Sequence, residues 1–248
     1  MAGEIHFISE MPRKPRFAPP NYALHITQRG NDRQKVFFTD EDRTQFLALL
    51  DHHADLRQVI VHGHVLMSNH FQLVVTGQMD GGVSRFLQHL TGQYAQYLHG
   101  RLNRRWQSRF YSCVLDHHHF LTALAYVDLN PVRARMVDRA EEYEWSSAAA
   151  HGGLKGAPEW LDLAALHSRV MPAEWRERLR QPQSRGEVAA LRRATQTECP
   201  LGQPGFVEEL EAKFAVRLRP LPPGRPPKKS TQSEVAPAEI ARHAGQSA

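Results

Sequence analysis

A tyrosine and an asparagine stand four residues apart near the end of a predicted helix that begins near residue 120. Leu124 and Val127 recur at the spacing of an apolar helix face. Residues four apart project from the same side, so the phenol of Tyr126 and the amide of Asn130 point the same way. Pro131 disfavours helical geometry in the residue before it, so we expect the helix to end or kink at Asn130. A phenol held on a rigid element can act as a nucleophile. The alternative is an amphipathic tyrosine at the edge of a core.

A histidine and a glutamine lie two residues apart on a predicted strand upstream. Residues 59–75 read as two strands joined by a turn at Ser68 and Asn69. The period of two places His70 and Gln72 on the same face of the second strand. An imidazole and an amide oxygen side by side suit two neighbouring ligands of one divalent cation. The alternative is a hydrogen-bonded histidine on a half-buried strand.

The elements that position these side chains follow the order strand, helix, strand, strand, helix, strand. We predict strands over residues 21–28, over both arms of the 59–75 hairpin and over 112–115, with helices over 41–57 and 83–98. Asp40 is the expected N-cap of the first helix. Alternation puts His62 and His64 on one strand face, where we assign them structural or supporting roles. The fold class is α+β, a ferredoxin-like antiparallel sheet with helices on one face and the helix of Tyr126 added after the last strand.

Arginines cluster among aromatic residues between the second helix and the last strand. Guanidinium groups neutralise phosphates and aromatic rings stack on unpaired bases, so this mixture suits single-stranded or hairpin nucleic acid. The predicted nucleic-acid-binding set is Arg29 and Arg33 in the polar turn after the first strand, Arg101, Arg104, Arg105 and Arg109 in this cluster, and Arg225. Arginine-rich surface loops are common, and Trp106 and Phe110 fit a core equally well.

The domain organisation follows from changes in composition. Residues 1–20 are a basic, proline-broken N-terminal arm, 21–150 hold the main α+β domain, 151–216 a small helical appendage, and 217–248 a basic, proline-rich tail that we expect to be disordered. Within the tail, Arg225 sits between Gly224 and Pro226, a minimal version of a minor-groove hook. A basic linker is the alternative.

Composition limits the class of protein. The 248 residues are 41% apolar and carry a net charge of +5, which favours an anionic partner. No apolar run is long enough to span a membrane, so we expect a soluble, cytoplasmic protein without a membrane partner. Two cysteines are too few for a disulfide framework or a cysteine zinc site.

Several of these motifs together resemble a known family. The segments NHFQLVV, RFYSCVLDHHHFLTALAYVDLNPVRARMV and EYEWSS, preceded by RGNDRQKVFF, are similar in type and order to REP-associated tyrosine transposases of the HUH endonuclease superfamily. The likeness runs from about Phe17 to Ser147 and more weakly over 192–229. It implies that residues 21–150 are the catalytic domain. One departure stands out, because the family has His, hydrophobic, His where this chain has His70, Phe71 and Gln72.

The resemblance implies a function and assigns roles to the residues. Tyr126 would attack single-stranded DNA near palindromic hairpins of bacterial genomes, forming a 5′-phosphotyrosine intermediate that allows rejoining. His70 and Gln72, with Asn130 as third ligand, would hold Mg²⁺ or Mn²⁺. The amide oxygen of Gln72 is a weaker metal ligand than an imidazole nitrogen, so we expect weakened activity. The alternative is a regulator that binds hairpin DNA without cleaving it. We also expect a bacterial, nucleoid-associated protein, and a monomer or a homodimer are both open.

Overall fold

A four-stranded antiparallel sheet forms the centre of the computed structural model, which describes residues 16–99 and 106–219. The strands are Ala23–Arg29 (β1), Val59–Met67 (β2), His70–Gly77 (β3) and Tyr111–Leu115 (β4). Their order across the sheet is β2-β3-β1-β4, and every neighbouring pair is antiparallel. This is the ferredoxin-like arrangement, so the predicted fold class is confirmed.

Two long helices cover one face of the sheet. They are Asp40–Leu56 (α1) and Gly82–Tyr97 (α2), and their buried Phe46 and Tyr94 meet Phe71 of β3 in one apolar core. The prediction of Asp40 as N-cap of α1 is wrong. Thr39 holds that position, because its hydroxyl accepts from the amide of Asp42 while the Asp42 carboxylate accepts from the amide of Thr39.

The β2–β3 hairpin turns at Ser68 and Asn69, as predicted, and aligns Met67 with His70. One expectation on β2 is wrong. The register shifts between Val61 and Gly63, and such a bulge sends the following side chains to the other face. His62 therefore packs on Phe120, in the core on one side of the sheet, whereas His64 packs on Trp160 on the other side.

The helix of Tyr126 lies on the opposite face of the sheet from α1 and α2. It spans His117–Asp128 (α3), and the Asp116 carboxylate caps it by accepting from the amide of His119 at 2.8 Å. A second short helix, Asn130–Arg133 (α4), follows directly with Pro131 in its first turn. The chain therefore breaks and re-enters helical geometry around Leu129, and the predicted kink is confirmed.

Within residues 134–219, five further α-helices follow the added pair. They are Ala148–His151 (α5), Ala164–His167 (α6), Pro172–Arg180 (α7), Arg185–Thr197 (α8) and Phe206–Phe214 (α9). Trp175 of α7 and Leu191 of α8 are fully buried beside α3, whereas Leu210 of α9 joins the core on the α1–α2 face. None of the helices that the structure describes is long and apolar enough to cross a membrane.

A buried carboxylate fixes α3 to the segments around it. Asp128 accepts from the hydroxyl of Ser147 at 2.8 Å and from the indole of Trp175 at 3.0 Å, and it faces Nδ1 of His151 at 2.7 Å. Burial lowers the pKa of His151, but the Asp128 charge and the hydrogen bonds outweigh burial and raise that pKa overall. The helix that carries Tyr126 is thus held in one position.

Candidate active site

Three side chains from two distant motifs converge on one imidazole nitrogen. Nε2 of His70 lies 3.4 Å from the amide nitrogen of Gln72 and 3.3 Å from the amide nitrogen of Asn130. The other ring nitrogen, Nδ1, donates to the side-chain oxygen of Asn69 at 2.7 Å, so Nε2 carries the lone pair. Burial, with the nearby charges of Arg29 and Arg133, lowers the pKa of His70 to about 4. The imidazole is therefore neutral at physiological pH, with its lone pair directed at the two amides.

Tyr126 lies beside this cluster on α3. Its side chain is only 7% exposed and packs edge-on against the ring of His25, with centroids 5.6 Å apart. The phenol oxygen accepts a hydrogen bond from Nε of Arg192 at 3.1 Å. The guanidinium of Arg133 lies 4.0 Å from the centroid of the Tyr126 ring. Two cations therefore contact the one tyrosine that the sequence singled out.

Burial dominates the electrostatics of Arg133. It lowers the pKa of Arg133 to about 10; Tyr126 opposes this shift and the charge of Arg192 adds to it. The side chain also donates to the side-chain oxygen of Gln183 at 3.0 Å. Arg133 still carries its charge at neutral pH, so the surroundings of Tyr126 favour a bound anion.

His25 of β1 is a site residue that the sequence analysis missed. Its Nε2 lies 3.5 Å from the side-chain oxygen of Gln72, and its Nδ1 lies 2.8 Å from the hydroxyl of Thr195 on α8. Burial lowers the pKa of His25 to about 4, so the ring is neutral and carries one N–H. Alternation along β1, which pairs His25 with Val74 on the face of His70, was the available signal.

A chain of hydrogen bonds from α8 determines which nitrogen of His25 is protonated. The hydroxyl of Thr195 donates to the carbonyl of Leu191 at 2.8 Å, so it accepts from Nδ1–H of His25. Nε2 of His25 is then an acceptor, and its natural partner is the amide N–H of Gln72, not the oxygen. A half-turn of the Gln72 amide satisfies this contact and directs its oxygen at Nε2 of His70.

The donor set fits a divalent cation completed by DNA. With that half-turn, and the same rotation of Asn130, the site presents one imidazole nitrogen and two amide oxygens, a set that suits Mn²⁺ and accepts Mg²⁺. In the described part of the chain, no group of three or more His, Cys, Asp or Glu side chains could hold a metal ion. The ligands are neutral, so a bound phosphate would supply the negative charge.

The predicted DNA-binding arginines fall into two groups. Arg29 pairs with His70 across β1 and β3, and the carbonyl of Arg33 accepts from the side chain of Asn69, so both lie at the sheet end that carries the site. Arg109 is exposed just before β4. The remaining four predicted residues, Arg101, Arg104, Arg105 and Arg225, lie outside the described residues.

The aromatic residues of the arginine cluster divide between core and surface. Trp106 packs against the core of the α1–α2 face, and Phe110 is buried under the guanidinium of Arg16 at 4.4 Å. Only Tyr111 is exposed, at 38%. It pairs with Thr27, which also pairs with Gln72, so its ring lies on the face that carries the site. One ring of the three is therefore free to stack on a base.

Comparison with known proteins identifies the protein family to which part of the chain is similar. A family model described as "Transposase IS200 like" matches residues 19–130, which include the sheet, Tyr126 and all three predicted ligands. Residues 19–130 are thus an IS200-like transposase domain, and the family predicted from the sequence is confirmed. This match places residues 19–130 among DNA-binding transposases.

A solved structure gives a more particular likeness. The chain is similar to a REP-associated tyrosine transposase bound to a REP hairpin, with 18% identity and a TM-score of 0.50 over 62% of this chain and 96% of that one. The likeness supports the fold. No curated protein matches the sequence.

Proposed function

We propose that this protein cleaves and rejoins single-stranded DNA through a covalent link to Tyr126. The phenol oxygen attacks a backbone phosphorus and forms an ester with the 5′ phosphate, while the bond from phosphorus to the 3′ oxygen breaks. The phenol gives up its proton, and the departing 3′ oxygen takes one up to become a hydroxyl. Attack by a 3′-hydroxyl on the ester reverses the reaction and reseals the strand.

The contact between Asn130 and His70 is the observation that carries this proposal. Their side-chain nitrogens are 3.3 Å apart although sixty positions separate them in the chain. Asn130 lies four residues beyond Tyr126, just past the end of α3, so this contact brings the phenol to the strand that carries His70 and Gln72. Two motifs that each had an ordinary structural explanation therefore meet in one place.

The charged and polar residues around the phenol fit the reaction. Arg133 and Arg192 would hold the phosphate beside Tyr126 and offset charge that develops on it. His70, Gln72 and Asn130 would hold Mg²⁺ or Mn²⁺, which when bound supplies further charge stabilisation at the phosphate. The arginines at this end of the sheet would contact the DNA backbone.

The proposed substrate is a DNA hairpin with an unpaired flank. The similar solved protein is bound to a REP hairpin, and we extend that class of ligand to this chain. Arg29, Arg33 and Arg109 would contact the phosphates, and Tyr111 would stack on an unpaired base.

Covalent capture tests the proposal. Labelled hairpin DNA with an unpaired flank is incubated with the protein and Mn²⁺, and an adduct that survives denaturation is measured on a gel. We expect Tyr126→Phe to abolish the adduct and leave hairpin affinity unchanged, because only the hydroxyl is removed. Tyr97→Phe, on the other face of the sheet, is the matched control and should react as the wild type. An adduct of normal yield in Tyr126→Phe would end the assignment of the nucleophile.

A regulator that binds hairpins without cleaving them is the second candidate. The observation that favours it is the side chain of Asn130, whose amide nitrogen lies 3.3 Å from Nε2 of His70 and can donate to it without any cation. Tight hairpin binding by the wild type, with no adduct at any Mn²⁺ concentration, would support this candidate over cleavage.

A further inference from the structure

An arginine-lined cleft opens between α4 and the α7–α8 segment. Its volume is 830 Å³. The arginines that line it are Arg133, Arg180, Arg185, Arg192 and Arg193, and no aspartate or glutamate lines it. The cleft lies beyond residue 130 except for its edge at Leu129, so the matched transposase domain contributes almost nothing to its walls.

The positive charge of the cleft is largely uncompensated. Arg180 pairs with Glu177 at 3.1 Å, at an exposed position. Arg185, Arg192 and Arg193 form no ion pair with any residue that the structure describes, and all three are exposed. Uncompensated cations in a concave surface concentrate the field and attract an anionic chain.

The cleft leads to the reacting oxygen. Arg192 lines it and donates to the phenol oxygen of Tyr126 at 3.1 Å. Arg133 lines it from the opposite side and covers the Tyr126 ring at 4.0 Å. An anionic chain that lies in the cleft would therefore reach Tyr126 at one end.

The rest of the lining suits unpaired bases. Leu129, Val132, Leu179 and Val188 provide apolar surface, and Gln181, Gln183 and Gln196 provide amide groups between the arginines. In a duplex the base faces are already stacked and the pairing edges are occupied. An unpaired base still offers an apolar face and a hydrogen-bonding edge, which match these two kinds of lining.

We propose that this cleft binds the unpaired nucleotides adjacent to the phosphate that Tyr126 attacks. The inference rests on the proposed function for the position of that phosphate. It makes α8 part of the DNA-binding site, with Arg185 and Arg193 contacting the backbone of the flank and Arg192 meeting the scissile phosphate. The hairpin stem itself would lie at the sheet end marked by Arg29 and Arg33.

The test compares two DNAs that differ only in the flank. One is a blunt hairpin, and the other is the same hairpin with a short unpaired extension. Binding is measured by fluorescence anisotropy across a salt titration, in the Tyr126→Phe background so that no covalent product forms. The cleft variant is Arg185→Ser with Arg193→Ser. Its control, Arg139→Ser with Lys155→Ser, removes two exposed cations outside the cleft.

The expected result is a loss confined to the extended hairpin. With about 0.7 counterions released per phosphate contact on single strands, loss of two contacts should weaken binding roughly tenfold at physiological salt and reduce the salt slope by about 1.4. The blunt hairpin should bind the cleft variant and the control variant alike. Equal losses for both DNAs, or no loss for the extended one, would overturn the proposal.

Two further measurements keep the outcome interpretable. If thermal melting shows that the double variant is unfolded, Arg193→Ser alone is used, with an expected loss of roughly threefold to fourfold. Because binding is measured without cleavage, failure of the wild type to form a tyrosine adduct would refute the proposed function and leave the cleft result standing. The reverse pattern, adduct formation without flank-dependent binding, would refute the cleft alone.

Discussion

Gln72 is the single residue on which the chemistry of the site depends most. It stands where the resembled family has a second histidine, and its amide lies between His70 and His25. The neutral His25 and its bond to Thr195 favour the orientation in which the Gln72 oxygen faces His70. A glutamine oxygen held in this way would be a weak but usable ligand for the proposed cation.

Restoring an imidazole at this position should strengthen the site. We expect Gln72→His to tighten Mn²⁺ binding by about ten- to a hundredfold and to raise cleavage at limiting metal. Gln72→Ala should weaken both. Calorimetric titration of the protein with Mn²⁺ measures the first effect without DNA. If both variants bind Mn²⁺ as the wild type does, Gln72 is no ligand.

His64 should make the protein sensitive to acid. Burial, together with the charge of His151 and against that of Asp128, lowers the pKa of His64 from 6.5 to about 3. As the pH falls, His64 becomes protonated in the unfolded chain before it does so in the folded protein. The contribution of neutral His64 to the free energy of unfolding is therefore complete above pH 6.5 and is lost as the pH falls toward 3.

Replacement of His64 should remove that part of the acid sensitivity. Between pH 7 and pH 5 the wild type should lose about 2 kcal/mol of unfolding free energy through this residue alone. His64→Leu, which also removes an unpartnered buried Nδ1, should show a shallower decline. Urea unfolding at a series of pH values measures this pH dependence of the unfolding free energy. Identical slopes in the wild type and in His64→Leu would contradict the role assigned to His64.

At the scale of elements, α8 connects the C-terminal segment to the candidate active site. Arg192 contacts the phenol oxygen, and three residues further on Thr195 fixes the tautomer of His25. These contacts reach the site from outside residues 19–130. The helix begins at Arg185 and buries Leu191 against α3, so its register determines which side chains face the sheet.

Removing the hydroxyl of Thr195 should disturb the proposed metal site from a distance. In Thr195→Val the shape is kept but Nδ1 of His25 loses its acceptor, so the proton can move to Nε2 and bind the Gln72 oxygen. We expect Mn²⁺ affinity to fall about tenfold, a typical effect of losing a group that orients a ligand. Calorimetry gives the affinity, and a matched thermal melt shows that the fold is intact. Thr197→Val, at an exposed position two residues away, should leave Mn²⁺ affinity unchanged.

At the scale of the whole molecule, charge is unevenly placed. The net charge of +5 is modest, but the arginines of the sheet end and of the cleft lie on the side of Tyr126. Arg219, by contrast, is held by Glu208 and Glu211 of α9 at 2.6 Å each. It is therefore a structural residue at the end of the described chain, whereas Arg225, Lys228 and Lys229 follow in the basic tail.

Truncation after Arg219 should weaken DNA binding without affecting the chemistry. Each lost phosphate contact lowers the salt slope by about 0.9 on duplex DNA, so the loss of Arg225, Lys228 and Lys229 together with Arg242 should flatten the salt dependence visibly. The yield of covalent adduct at saturating DNA should persist. A titration of hairpin affinity against salt measures the effect, and an unchanged slope would make the tail a linker.

The sequence alone determined the strands of the sheet, the strand β3 that carries His70 and Gln72, and the helix α3 that carries Tyr126. Each of these depends on a local sequence pattern. Alternation gave His70 and Gln72 one face, and Pro131 broke the helix next to Asn130. The tertiary structure decided the contacts that sequence periodicity does not predict. A bulge between Val61 and Gly63 placed His62 and His64 on opposite faces, and packing of α8 on β1 and β4 brought Thr195 to His25 and Arg192 to Tyr126. Contacts across 66 and 170 positions depend on how helices pack, and that packing is set by the core as a whole.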